Sequence, residues 1–506
     1  MNSSSVPDTV QVVVRIRPLS SRELTAGHHN VIVQPNPGEP RLVARGTEEF
    51  TFSDVHGPSV SQEEVYDRSV RGLVLKLLEG FNVSILAYGQ TGSGKTHTIG
   101  TSFDGHLSSR SGILPRALLD IFDAVNAEPT EGNGGDATRT SYRVFCSFME
   151  LYQEHVYDLL SPRNRYDRLL GIREDMDGVI VPGLTELAVS SAQEAFGWLM
   201  YGANCRATAS TSMNKESNRS HTIFMLIIRS RRVRDATSRG EQAMISKLHF
   251  VDLAGSERIK KSQASGDRLR ESIQINKGLL ALGNVISALA SSSGASQSKS
   301  ARSPFVSYRD SKLTRLLQNS LGGNSITLML ACVSPADYNI EETISTLRYA
   351  DRALAIRNKP SKTPPSQLSQ SSSAAEMERL TKTVSQLRTE NDQLRRRIAT
   401  DLKLTTVGKN GTSRQLVTQN RVLHSQLQSS IEESTRNELR ASIAENALGR
   451  LEPLVVPEAS LPSKLDSAIA NAWNAHSGYR KSMVKMSSAV RPNCITMYSG
   501  SESCTS

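Results

Sequence analysis

The chain has 506 residues, 38% of them hydrophobic and 5% aromatic, and its 60 lysines and arginines outnumber its 50 aspartates and glutamates to give a formal charge of +10. That length exceeds what one hydrophobic core supports, so a large folded domain with appended segments is expected, and the charge fits a polyanionic partner such as nucleic acid, an anionic membrane or an acidic protein surface. No run of about 18 apolar residues occurs and Met1 to Val10 lacks an apolar signal core, which argues against membrane insertion and secretion, while five scattered cysteines without paired spacing predict a reducing, cytosolic compartment.

In chain order, Val10 to Ile16 is a β-branched run ended by Pro18 and reads as a first strand. Val83 to Tyr88 is a second buried strand, which runs into a Gly-rich turn and then Lys95-Thr96-His97-Thr98, giving strand, loop, helix. Further strands are predicted at Tyr142 to Leu151, Thr222 to Ile228, Lys247 to Leu253 and Ile326 to Val333, with helical patterns between several of them, so the class is α/β. Ile275, Leu279, Leu282, Ile286 and Leu289 recur at helical spacing and predict a long amphipathic helix. Ser291 to Ser303 reads as a Ser-rich surface loop, and 359–375, with three prolines and many serines, reads as a linker. From 376 to 403 the apolar positions Leu380, Val384, Leu387, Leu394 and Ile398, with Asn391 in phase, step by three and four, the pattern of a short parallel coiled coil that pairs two copies. Residues 404–506 read as a mostly disordered tail with weak helical segments.

Chemistry concentrates in two motifs. Gly89-Gln90-Thr91-Gly92-Ser93-Gly94-Lys95-Thr96 fits a phosphate-binding loop, in which backbone N–H groups close around phosphate oxygens, Lys95 reaches the β and γ phosphates and the Thr96 hydroxyl ligates Mg²⁺. Asp252-Leu-Ala-Gly255 follows an apolar strand, which puts a carboxylate where a water-mediated Mg²⁺ contact is needed and leaves Gly255 free to turn its N–H toward a γ-phosphate. Between them, Asn214 to His221 is a polar cluster ahead of a strand, suited to sense that phosphate. The guanine-reading Asn-Lys-x-Asp signature is missing, so ATP is favoured over GTP.

With Arg15-Ile-Arg17-Pro18, Asp252 to Glu257 and Tyr308-Arg-Asp-Ser-Lys-Leu-Thr-Arg315 added, the chain resembles the kinesin motor superfamily over about Thr9 to Lys359. The resemblance implies a motor head at 8–358, a P-loop NTPase fold with a central mixed β-sheet and helices on both faces, which uses ATP and Mg²⁺ and binds microtubules. It implies that Arg15, Pro18, Phe81 and His97 line the adenine pocket, with Phe81 where kinesins often have Tyr. It gives Ser217, Asn218, Arg219, Ser220, Asp252, Gly255 and Glu257 catalytic roles, with Arg219 and Glu257 as an ion pair that closes on ATP. Thr96, Ser220 and, through water, Asp252 would hold Mg²⁺, while Lys260, Lys261, Arg309, Lys312 and Arg315 would face tubulin and Asp310 would be structural.

Finer features, including Glu271 to Leu289 and Leu321-Gly-Gly-Asn-Ser, are most similar to the kinesin-4 family and lean toward its branch associated with cilia and Hedgehog signalling. Three departures stand out. Asn218 replaces the second of two usual switch serines, Phe305-Val-Ser307 replaces a His-aliphatic-Pro run, and the segment after Lys359 carries prolines without the usual docking residues. The reading is therefore an ATP-driven microtubule motor in the cytoplasm and cytoskeleton, with the cilium as a further destination. A slow or inactive ATPase that acts as a microtubule-binding scaffold is the alternative. Nucleic acid ranks last as a partner, because no recognition motif or aromatic-basic repeat is present.

Overall fold

The computed structural model describes residues 7–103, 105–127, 139–161, 169–175, 178–211, 219–233, 242–257, 267–294, 305–362 and Thr389. In chain order the strands are β1 (Gln11–Ile16), β2 (Ile32–Val33), β3 (Arg41–Ala44), β4 (Glu48–Thr51), β5 (Asp54–His56), β6 (Asn82–Tyr88), β7 (Arg139–Tyr152), β8 (His155–Asp158), β9 (Arg173–Asp175), β10 (Gly178–Ile180), β11 (Leu187–Val189), β12 (His221–Val233), β13 (Gln242–Asp252) and β14 (Ser325–Val333). The helices are α1 (Ser21–Thr25), α2 (Gln62–Ser69), α3 (Arg71–Leu78), α4 (Lys95–Ile99), α5 (Ile113–Asn126), α6 (Ala192–Thr211), α7 (Asp267–Gly294), α8 (Lys312–Leu316) and α9 (Ile340–Leu354).

One nine-stranded sheet organises them, in the order β11-β7-β12-β13-β6-β14-β1-β5 with β8 on β7. β6 lies parallel to β13 and β14, β1 is parallel to β14 and β5, and the β13-β12-β7-β11 half is antiparallel, so the sheet is mixed as expected. Every residue of β6 is buried. Its side chains alternate between two cores: Val83, Ile85 and Ala87 pack with Leu77, Ile113 and Leu118, while Leu86 and Tyr88 pack with Ile286, Leu347 and Ala350. A strand buried on both faces favours apolar residues on both, which is why Val83 to Tyr88 reads as a nearly continuous apolar run, interrupted at Ser84, whose hydroxyl accepts from Ser320 at 2.8 Å. Truncating Ile85 to Ala would cost about 2–5 kcal/mol.

The six predicted strands are all present, and the longest are extended: β7 and β12 pair from His221 opposite Leu151 to Val233 opposite Arg139. The small β2-β3-β4 sheet was not foreseen, since strands of two to four residues between glycines and prolines carry almost no periodicity. The expected helix after Asp252 is α7, and it runs on through Ser291 to Gly294, part of the predicted loop. There the hydroxyls of Ser291 and Ser292 donate to the carbonyls of Ser287 and Ala288, satisfying within the helix the groups that usually draw serine into loops. The predicted coiled coil, apart from Thr389, and the tail lie outside the described residues. Among the described residues no helix is long and apolar enough to cross a membrane.

The two ends of the head meet. Thr9 pairs with Arg357, and the Val10 N–H donates to Ile356 O at 3.0 Å. The first residues of the predicted linker are also held: Lys359 N–H donates to Gly323 O at 2.7 Å, and Lys362 pairs with Phe81. Pro360 lacks a donor, but the residues on either side of it supply the contacts.

Candidate functional site

The phosphate loop leaves β6 at its C-terminal end, between β13 and β14, the edge at which parallel α/β sheets bind ligands. Gly89, at φ +146°, is obligatory, because a Cβ there would run into the Cys332 carbonyl and the Ser93 hydroxyl. Gly94, left-handed at φ +102°, caps α4 and turns the loop into the helix. The cavity is about 260 Å³ and is lined by Gly92, Gly94, Lys95, Thr96, His97 and Asp252, a size for a polyphosphate tail rather than a whole ligand.

Lys95 is buried and donates to the carbonyls of Gly89 (2.8 Å) and Gln90 (3.0 Å). Burial pulls its pKa down, and the nearby Asp252 and Glu257 carboxylates oppose that pull. The Thr96 hydroxyl donates to Asp252 Oδ2 at 2.6 Å, joining the first turn of α4 to the end of β13. The other oxygen, Asp252 Oδ1, is buried without a hydrogen-bond partner, as are Ser93 Oγ and Gln90 Oε1. Buried orphans of this kind call for a ligand. A hydroxyl beside a carboxylate with a free oxygen suits a hard divalent cation that keeps its waters and binds phosphate, and among the described residues no cluster of three His, Cys, Asp or Glu offers a protein-only cage.

Behind the loop, β13 continues into Leu253 to Glu257, pinned to it by Leu253 N–H to Ala87 O and Ser256 N–H to Gly89 O, both 3.2 Å. Glu257 accepts the Thr91 N–H (2.8 Å) and the Thr91 hydroxyl (2.5 Å). Its carboxylate is thus engaged by the phosphate loop, and the Arg219–Glu257 pair implied by the resemblance is not made here. Gly255 lies beneath this contact, and a Cβ on it would strike both Glu257 and Thr91. The Ala254 N–H donates to His221 Nδ1 at 3.1 Å, which requires a neutral ring protonated on Nε2. Burial, with Arg206 and Lys95 adding to it, lowers the His221 pKa to about 3.

Ser220 departs from its expected place. Its hydroxyl donates to Glu150 Oε1 at 2.5 Å and accepts from Arg206 at 3.2 Å, so in this structure it belongs to a buried ion-pair cluster and not to the Thr96–Asp252 pair. Phe81 departs further. It sits at the opposite end of β6 from the phosphate loop, in the core, with the Lys362 ammonium 5.3 Å from its ring centroid. Seven residues of strand span about 23 Å, so Phe81 cannot stack on a base at that loop. Arg15 and His97 do gather at the loop: Arg15 donates to Gln62 Oε1 (2.6 Å) and Thr98 Oγ1 (2.9 Å), and burial, with Arg15 and Arg110 adding to it, depresses the His97 pKa. Pro18 is exposed, and its carbonyl accepts from Arg17. Ser217, Asn218, Lys260 and Lys261 lie outside the described residues.

Arg309 is exposed and lies 3.8 Å from Glu174, while Lys312 and Arg315 are half-buried on α8, which packs against α7. Asp310 accepts from Ser307 at 3.0 Å, a structural role. Glu154 accepts from the Ser311 hydroxyl (2.6 Å) and the Lys312 N–H (2.7 Å), holding the start of α8. Sequence reasoning missed Glu154, which lies in a turn with positive φ at non-glycine residues and carries no signature. It also gave no site role to Arg17, which donates to Gly92 O at 2.8 Å and pairs with Glu23, although the neighbouring Arg15 and Pro18 marked the spot.

Known proteins resemble the chain in sequence and in fold. The family model described as kinesin motor domain matches residues 15–356. The chain is 46% identical over 354 residues to chromosome-associated kinesin KIF4 of Mus musculus, which covers 69% of this chain and 27% of that protein. It is 42% identical over 361 residues to kinesin-like protein KIF27 of Rattus norvegicus, covering 69% and 24%. The match thus takes in about a quarter of the length of these curated relatives. A solved structure described as that of a fast kinesin is similar with a TM-score of 0.62 and 39% identity, over 72% of this chain and 96% of that one.

Proposed function

This chain belongs to the kinesin motor family, and from that premise we propose that its head is a Mg²⁺-dependent ATPase, stimulated by microtubules, that converts nucleotide state into microtubule affinity and movement. The observation that carries the proposal is the Thr96–Asp252 hydrogen bond at 2.6 Å, with Asp252 Oδ1 buried and orphaned beside it.

In this reading Lys95 exchanges its bonds to the Gly89 and Gln90 carbonyls for phosphate oxygens, and loop amides supply the remaining donors. Thr96 and, through water, Asp252 would hold Mg²⁺, which supplies charge neutralisation on the transferred phosphoryl group. Glu257 and Arg219 act on the attacking water once Thr91 releases the Glu257 carboxylate. The pinned segment Leu253 to Glu257 passes the change to α7 and α8, which move Lys312 and Arg315 on α8, and Arg309 just ahead of it, toward an acidic tubulin surface. Lys260 and Lys261 join them, Arg15, Pro18 and His97 border the adenine, and residues 376–403 pair two copies. The work is cytoplasmic and cytoskeletal, and chromosome association is named for a relative matched over about a quarter of its length.

A second reading, a slow ATPase that serves as a microtubule-binding scaffold, is favoured by Asn218, whose amide cannot relay a proton as a serine hydroxyl can. Steady-state ATP turnover with and without taxol-stabilised microtubules, beside Asn218→Ser, separates the two. Strong stimulation of the natural sequence supports the motor. Tight binding with negligible turnover, restored by serine, supports the scaffold.

A further inference from the structure

α4 is only five residues long, because Gly100 adopts φ +85° and closes it, with its N–H on Thr96 O at 2.8 Å. A side chain at Gly100 would crowd Gly112 and Pro115 and strain the backbone at this positive φ. The chain therefore reverses at once, and Thr101, buried, returns to the end of β13, where its hydroxyl donates to Asp252 Oδ2 at 3.2 Å. Two threonine hydroxyls, five positions apart in sequence, thus donate to one oxygen of one buried carboxylate.

We propose that Thr101 is a positioning residue for the divalent cation of the nucleotide site: it fixes the rotation of the Asp252 carboxylate so that Oδ1 is presented to the cation's water shell. The inference rests on the nucleotide reading above. A carboxylate can rotate about Cβ–Cγ and interchange its oxygens, and donors placed on the same oxygen prevent that. Thr96 alone is an insufficient lock. Its hydroxyl has a single proton, and the same oxygen is the one that ligates the cation, so its bond to Asp252 must adjust whenever the cation enters or leaves. Thr101 has Asp252 as its hydrogen-bonding partner and no ligand role, so it holds the carboxylate through that exchange. Outer-shell partners of this kind orient the groups that bind a metal and tune its affinity.

The test uses the full chain loaded with a fluorescent ADP, whose release is followed across a free-Mg²⁺ titration. In Thr101→Val, which keeps the side-chain shape without the donor, the Mg²⁺ midpoint for ADP retention rises about tenfold, the low end for loss of an outer-shell partner, while release in EDTA is unchanged. Thr101→Ser restores the donor and the natural midpoint. A natural midpoint in Thr101→Val, or a shift in Thr101→Ser equal to that in Thr101→Val, overturns the inference. Loss of folding in both Thr101→Val and Thr101→Ala, read by circular dichroism, makes the residue merely structural and overturns it too. Failure of the natural chain to bind the fluorescent ADP would instead overturn the nucleotide reading, and this inference with it.

Discussion

Thr91 gives Glu257 both its backbone N–H and its hydroxyl, at 2.8 and 2.5 Å, so the loop that receives phosphate also holds the acidic residue that follows the Asp252 motif. A methyl group on Gly255 would meet the Glu257 carboxylate and the Thr91 hydroxyl and displace this contact. Gly255→Ala is expected to leave nucleotide binding measurable while lowering microtubule-stimulated turnover by about 10²- to 10³-fold, the range for loss of one preorganised catalytic donor. Steady-state phosphate release beside equilibrium binding of fluorescent ADP checks both halves.

Asp252→Asn keeps the shape and the acceptor for Thr96 but removes the charge that faces Lys95 and the orphaned Oδ1. Nucleotide retention in Mg²⁺ is expected to weaken about 10- to 100-fold, with little change in EDTA. Unchanged Mg²⁺ dependence would remove Asp252 from the cation site.

Asn358 joins the end of the head to its interior. Its side chain donates to Ser320 O, Ser325 O and Thr327 Oγ1 at 2.9, 2.7 and 3.1 Å and accepts the Gly322 N–H at 2.8 Å, while its own N–H reaches Asp8 O at 2.6 Å. Asn358→Ala strands several buried groups at once and is expected to cost about 2–4 kcal/mol. Urea denaturation of the two proteins measures it.

Burial holds the His221 pKa at about 3 and those of His56 and His249 at about 4. All three are below the unfolded value of about 6.5, so in acid the unfolded chain binds protons that the folded chain refuses. Their contribution is fully present above about pH 6.5 and is lost as pH falls from there toward 4, by up to about 1.4 kcal/mol per pH unit for each ring. Denaturation midpoints between pH 7.5 and pH 5 are expected to fall, and His221→Asn, which keeps an acceptor for Ala254, is expected to flatten the slope.

The parts of this site legible in the sequence were those in which backbone conformation demands a residue type. Gly89 and Gly94 are required by positive φ, and Lys95, Thr96 and Asp252 follow from the strand-loop-helix order. The central strands were legible because burial on both faces leaves a nearly continuous apolar run, broken by small hydrogen-bonded residues such as Ser84 and Thr327. Phe81 was misplaced because it was assigned by resemblance alone, although its position just before the strand that ends in the phosphate loop already separates the two, and Ser220 because a hydroxyl beside a motif does not reveal a buried carboxylate brought up from β7. Thr101 and Glu154 depend on contacts across 151 and 157 positions, to Asp252 and Ser311, which local patterns cannot carry.

Lys362 lies beside Phe81, at the far end of β6 from the phosphate loop, about 23 Å away along the strand. The strand between them is buried on both faces, and a close-packed interior transmits strain, so the phosphate loop and Lys362 are joined by rigid packing. A displacement at either end of the strand is carried to the other.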